Sequence, residues 1–350
     1  DGHYLQWLRS KSPLADSWRD RKNQLPHAYK CPQAYRTPIP EELYSTAYIR
    51  ERALEHLDGM RDSAQPFFMF VSFPDPHHPF TPPGKYWDMY DPADFEVRLP
   101  WGSHRNPTPP MLHLRVQHEA GERNDKGQEA FTAGPDEIRE AMALTCGMIA
   151  MIDDAVGALV SKLRKIGRLD NTVIVFNSDH GDYLGDFGLL LKGAMPLRSI
   201  NRVPFIWSDP SSRPANVSNA LASTIDLAPT ILERAGLKGY HGIQGKSLLS
   251  NLDSSSALRE HLLIEHQDSF KRYGLPRFAM IRTLVTQDWR YSVWRGESWG
   301  ELYNLRNDPD ESHNLWDDLA YRKDRRELAE MLTHQMLENI DQSPHAKRRA

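Results

Sequence analysis

An aspartate and a histidine stand side by side in Ser178-Asp179-His180-Gly181, and a lysine follows twelve residues after the histidine, at Lys192. A carboxylate oxygen and a neutral imidazole nitrogen can share one divalent cation. A fixed ammonium nearby can hold the oxygens of an anionic substrate. Two more imidazoles, His77 and His78, lie in Pro74-Asp75-Pro76-His77-His78-Pro79-Phe80, whose prolines forbid helix and central strand. A histidine on so stiff a loop can hydrogen-bond a transferring group or protonate a leaving oxygen. Each residue also has a plainer role: Asp-x-Gly turns are common, His180 can be a surface residue, His77 can cap its loop and a lone lysine is usually solvated. The apolar run Leu189-Leu190-Leu191 just before Lys192 favours a lysine held close to the interior.

These residues need elements to place them. Val173-Ile174-Val175-Phe176 is a short apolar run that suits a strand covered on both faces, ending at Asp179. Open α/β sheets place their ligand chemistry at such carboxyl edges, and Gly181 lets the chain turn sharply there. Pro66–Phe73 predicts a second strand, running into the histidine loop. Helical spacing covers Glu42–Ser63, Pro135–Ile166 and Ile225–Ala235, the last with Pro229 in its first turn. Val203–Trp207 and Leu262–Glu265 predict further short strands, and Gly84–Gly134 an irregular insertion. Beyond His266, strands are expected at Ala279–Thr286, Arg290–Trp294 and Glu301–Tyr303, then a helix at Arg322–Ile340. The pattern predicts an α/β domain over residues 1–265 and an antiparallel module with a terminal helix over 266–350.

With 350 residues the chain can bury a sizeable core. Its net charge of −4, with mixed signs, carries no nucleic-acid footprint. No apolar run approaches the ~18 to 20 residues that span a bilayer, so no membrane partner is expected. Two cysteines, Cys31 and Cys146, make no disulfide framework and lean weakly towards a reducing, cytoplasmic compartment. Asn216-Val217-Ser218 is a formal glycosylation sequon. No pattern specifies an oligomeric state. The polar stretch Asp1–Pro40 reads as the interior of a longer chain.

Four ordered segments carry a family resemblance. Pro74–Pro83 (PDPHHPFTPP) and Ser178–Gly193 (SDHGDYLGDFGLLLKG) resemble two successive motifs of the sulfatases in the alkaline phosphatase superfamily. Arg202-Val203-Pro204-Phe205-Ile206 and Leu302-Tyr303-Asn304-Leu305 with Asp308-Pro309 and Asn314-Leu315 resemble two later landmarks. The resemblance implies an alkaline phosphatase-like sheet flanked by helices. It implies a divalent cation held partly by Asp179 and His180: calcium in most of the family, with manganese or zinc in relatives that act on phosphonate monoesters and phosphodiesters. His77 matches the active-site histidine, with His78 as its neighbour, and Lys192 matches the lysine that contacts sulfate or phosphate oxygens. Both would bind substrate as well as take part in catalysis.

The departures are specific. Phe187 stands where a histidine is common, and Leu197 where a tyrosine is frequent. Sulfatases attack with formylglycine made from a Cys/Ser-x-Pro-x-Arg motif. Cys31-Pro32-Gln33-Ala34-Tyr35-Arg36 misplaces the proline, and Cys146-Gly147-Met148-Ile149-Ala150 lacks both proline and arginine. The family's early aspartate pair is missing too. Both features precede the region matching Asp1, so the expectation is an N-terminally incomplete sequence, inactive by itself. The implied activity of the complete protein is hydrolysis of a sulfate monoester, small or glycan. The alternatives are a phosphonate monoester or phosphodiester hydrolase and a non-catalytic scaffold that binds sulfated glycans or a partner.

Overall fold

The computed structural model describes residues 2–211, 217–252 and 258–341. Asn216 of the sequon lies outside them. The polar N-terminal stretch folds into α1 (His3–Lys11) and α2 (Ala15–Arg19), two helices that its composition does not announce. Their few apolar residues suffice: Leu8 and Ala15 are buried with Tyr44, Tyr86 and Met151. Helix α3 (Ser45–Gly59) begins three residues later than its spacing predicts, after a turn of 3-10 helix at Glu41–Leu43.

Residues 66–73 are extended but form no strand, a correction to the expectation. No backbone hydrogen bond joins them to another described residue, so there is no ladder. Alternation persists without it: Phe68 and Phe70 are 73% and 78% exposed, while Phe67, Met69, Val71 and Phe73 are half-buried.

The insertion 84–134 is less irregular than expected. It contains α4 (Pro109–Glu119), with prolines at its first positions, and β1 (Phe131–Thr132). Helix α5 (Pro135–Lys165) follows as predicted, with Glu137 accepting from Gly134 N at 2.8 Å and basic residues in its last turn. By length and composition this helix could cross a bilayer. Its apolar face is instead a core element: Ile138, Ala141, Leu144 and Met148 are buried with Phe80, Phe131, Leu190 and Leu191.

Strand β2 (Ile174–Asn177) is where the sequence placed it, but it is not covered on both faces. It pairs antiparallel with β4 (Phe205–Ser208), and the facing pair Phe176 and Ile206 is 38% and 59% exposed. Between them, β3 (Leu189–Leu190) pairs antiparallel with β1, and α6 (Arg198–Asn201) turns the chain back. Helix α7 (Leu227–Arg234) carries Pro229 in its first turn, as predicted, and α8 (Leu249–Leu252) is a single turn.

The C-terminal sheet is antiparallel, in the order β5 (His261–Gln267), β6 (Met280–Thr286), β7 (Trp289–Trp294), β8 (Gly300–Asn304). Strand β5 crosses the 265/266 division drawn from sequence and belongs to this sheet. Helix α9 (Arg322–Glu338) covers one face through Leu328 and Leu332, which pack with Leu284, Tyr291 and Leu302. The other face holds a buried ion network. Arg290 Nε donates to Glu311 Oε1 at 2.8 Å, and Arg290 Nη1 lies 3.3 Å from Glu301 Oε2. Glu311 Oε2 also accepts from Arg198 N at 2.8 Å, which ties this module to the chain leaving Lys192. Tyr183, Phe187, Leu197, Ile281 and Trp294 share one core cluster across that junction.

Candidate active site

The histidine loop is pinned at both ends. Asp75 is buried and accepts from Thr46 Oγ1 at 2.6 Å and Tyr44 Oη at 3.2 Å, fixing the loop to the start of α3. Burial raises the Asp75 pKa, although those two hydrogen bonds oppose the rise. At the far end Phe80 N donates to Gln33 O at 2.9 Å, and Tyr35 N to Phe80 O at 3.1 Å. Cis peptides precede Pro76 and Pro79. Inside this frame the rings of His77 and His78 stack with centroids 4.1 Å apart.

His77 Nδ1 lies 2.5 Å from His78 O, so Nδ1 carries the proton and Nε2 keeps its lone pair. That lone pair faces Lys192 Nζ, and the two groups are in hydrogen-bond contact. Residues 115 apart in sequence thus meet. Lys192 arrives there because Leu189, Leu190 and Leu191 are fully buried and Tyr183 N donates to Leu191 O at 2.8 Å. Leu191 takes a positive φ of 65°, which swings the next residue out of the strand. Burial lowers the Lys192 pKa below its ordinary 10.5, while Asp182 and Asp179 pull the other way.

Asp179 and His180 make up the second candidate pair. Asp179 Oδ1 accepts from His180 N at 2.9 Å, and its side chain is 85% exposed. Burial of its inner part raises the carboxyl, yet the hydrogen bond from the His180 amide and the His180 ring beside it outweigh that and hold its pKa below the usual value. His180 Nδ1 lies 2.7 Å from Gly181 O, so Nδ1 donates to this carbonyl and Nε2 is left open, 3.6 Å from Asp179 Oδ2. One carboxylate and one open imidazole nitrogen fit two positions of a divalent cation. Among the described residues no group of three or more histidine, cysteine, aspartate or glutamate side chains could complete it.

Gly181 is demanded by close approach. Its N–H donates to Ile200 O at 2.9 Å, and a Cβ there would overlap Ser199 O. We predict that Gly181→Ala displaces the Asp179-His180 corner, lowering stability by roughly 1–3 kcal/mol. Its measured affinity for manganese should fall in parallel.

Two neighbours, Gln128 and Asp182, were invisible in sequence. Gln128 Oε1 lies 3.0 Å from His78 Nε2. Burial, with His77 and Lys192 close by, lowers His78 to about 4, so it stays neutral and acts as a spacer. Burial pushes Asp182 up to about 7, against the hydrogen bond from Leu184 N at 2.9 Å and the charge of Lys192. Lone polar residues in loops give no periodic signal, so none could be found beforehand. The family departures become packing: Phe187 meets His104 edge-on at 4.7 Å, and Leu197 is buried in the core. Cys31 is buried, which raises its thiol pKa, and it donates to Pro32 O at 3.2 Å. It is no nucleophile.

The sulfatase family model matches residues 2–237, and a model for the C-terminal part of N-sulphoglucosamine sulphohydrolase matches residues 185–340. The chain is 30% identical over 300 residues to the uncharacterized sulfatase YidJ of Escherichia coli (strain K12), covering 85% of this chain and 56% of that protein. It is 30% identical over 325 residues to the multifunctional alkaline phosphatase superfamily protein PehA of Trinickia caryophylli, covering 87% and 62%. The chain therefore spans less than two thirds of the length of these relatives. Its fold resembles that of the phosphonate monoester hydrolase SpPMH from Silicibacter pomeroyi, with a TM-score of 0.81, 20% identity, and coverage of 97% of this chain and 70% of that one.

Proposed function

We infer the activity from one premise: the chain belongs to the sulfatase family. The proposed reaction of the complete protein is hydrolysis of a sulfate monoester. The observation that carries it is the contact between Lys192 Nζ and His77 Nε2, which joins the two motifs beside Asp179 and His180. A non-catalytic scaffold has no use for a half-buried ammonium set against an imidazole lone pair.

The roles follow from the atoms. Lys192 Nζ binds nonbridging oxygens of the ester, where charge develops as the leaving bond breaks. Its lowered pKa eases transfer of a proton to His77 Nε2, and His77 passes that proton to the departing alcohol oxygen. His78 O, by accepting from His77 Nδ1, holds the ring in the orientation this transfer needs. When bound, a divalent cation on Asp179 and His180 would polarise an ester oxygen, and formylglycine would supply the attacking hydroxyl. These 350 residues contain no Cys/Ser-x-Pro-x-Arg motif, so by themselves they should give no turnover.

A second reading is phosphonate monoester or phosphodiester hydrolysis. It is favoured by the imidazole of His180, a ligand that suits manganese or zinc better than calcium. Full-length protein assayed on 4-nitrophenyl sulfate and 4-nitrophenyl phenylphosphonate, with metal analysis of the same sample, separates the two. The sulfatase reading expects the larger kcat/KM on the sulfate and calcium in the site. A reversed preference with manganese or zinc establishes the second reading, and turnover of neither sinks both.

A further inference from the structure

His78 stands between the proton carrier His77 and Gln128, a residue that belongs to no motif. It is only 3% exposed, and its ring stacks on that of His77. His78 Nε2 donates to Gln128 Oε1 at 3.0 Å, because an amide oxygen can only accept. The proton of neutral His78 therefore sits on Nε2, whereas that of His77 sits on Nδ1. Each of the two stacked rings is held in one tautomer, and the second is held by an exposed amide.

Gln128 is delivered to this place by a built support. Gln33 is buried, and its Nε2 donates to Asp125 O at 3.0 Å and to Gly127 O at 2.7 Å. Its own carbonyl accepts from Phe80 N at 2.9 Å, and its φ of 70° is one that a non-glycine residue adopts only at a cost. One glutamine thus clamps the end of the histidine loop to the backbone just before Gln128. Arg123 ties the start of that segment to α5 through two hydrogen bonds to Glu137, at 2.6 and 2.7 Å. An exposed amide on an ordinary surface loop needs no such clamp.

The absence of charge on Gln128 is as useful as its oxygen. The ionisable groups that bear on His78 are all basic: His77 on its own loop, Lys192 after β3 and His180 after β2. Glu129, next to Gln128, is turned instead to Arg272 Nε, at 3.5 Å. A carboxylate in place of the amide would favour a second proton on His78. An imidazolium stacked on His77 at 4.1 Å would then oppose the proton that His77 has to carry. We propose that Gln128 is a positioning residue for the leaving-group proton: it fixes His78 neutral and in one tautomer, which leaves the stacked His77 free to carry that proton from Lys192 to the ester. The proposal rests on the proton role given to His77 above.

NMR of the histidine nitrogens in this chain tests the clamp without any turnover. Native His78 should be the Nε2–H tautomer, and Gln128→Leu should turn it into a mixture of both. Gln128→Glu should raise the His78 pKa, about 4 in the native chain, by at least about one unit. Gln128 is exposed, so both variants should fold, and their melting temperatures check this. In the full-length enzyme Gln128→Leu should lower kcat for 4-nitrophenyl sulfate about tenfold and leave KM within about twofold. Gln128→Glu should lose kcat on the acid side and regain it as pH rises past the raised His78 value, a change that a merely structural glutamine would not produce. An unchanged His78 tautomer, an unchanged His78 titration or a native kcat in Gln128→Leu each overturns the proposal. Native turnover with an unaffected leucine variant refutes the positioning role alone. No native turnover of the sulfate or of 4-nitrophenyl phenylphosphonate refutes the sulfatase reading and the catalytic role with it, and the spectra then decide the His78 clamp by themselves.

Discussion

Replacing Lys192 by alanine should lower the full-length protein's kcat/KM for an aryl sulfate by about 10²- to 10³-fold, the size seen when one donor to a developing oxyanion is removed. The loss should fall mainly on kcat, because the ammonium meets more charge in the transition state than in the ground state. A structural lysine would instead leave kcat intact and shift the melting temperature. The pH profile gives a second check with a definite sign. Burial lowers the folded-state pKa below the ordinary 10.5, and the reaction uses the protonated amine. Activity should therefore decline as pH rises through a value below 10.5, and that alkaline limb should vanish in Lys192→Ala. Folding stability moves oppositely over this window: the unfolded chain holds more protons, so deprotonation favours the folded state. A wild-type profile still flat at pH 10.5 would remove the proton transfer assigned to Lys192 and His77.

The largest stability effect is expected at Glu311. It is 2% exposed, holds the buried Arg290 guanidinium and accepts the Arg198 amide, so one carboxylate joins the C-terminal sheet to the segment behind Lys192. Glu311→Ala leaves Arg290 buried with only Glu301 beside it, which should cost about 3–5 kcal/mol. Denaturant melts of the native chain and the variant measure this directly. Glu311→Gln keeps an acceptor oxygen for one of the two donors, where alanine keeps none, and should cost less. A loss under about 1 kcal/mol for the alanine variant would place it among ordinary surface pairs and contradict the buried network.

Where local chemistry dominates, the sequence was a good guide. Pro135 followed by Asp136 and Glu137 announces α5, and the alternating and β-branched residues of β6, β7 and β8 announce those strands. Elements that depend on a neighbour were misjudged. Pro66–Phe73 has strand composition but meets no ladder among the described residues. Helix α4 hides in a proline-rich stretch because its three buried residues, Pro110, Met111 and Leu114, are too few for a visible stripe. The site divides in the same way. His77, Asp179, His180 and Lys192 were legible as types in short motifs, and the structure brings His77 and Lys192 into contact. The tautomers of His77 and His180 depend on carbonyls one residue away, and Gln128 reaches His78 through packing, which no linear spacing encodes.

The bare stretch at 66–73 also bears on how this chain behaves in a tube. Two outward phenylalanines on a backbone that makes no ladder bond among the described residues are a ready template for an extended segment of another molecule. Rising concentration or warmth should drive self-association through this stretch before the core melts. Since it leads straight into the loop bearing His77, such clumping would draw that loop into the contact between molecules.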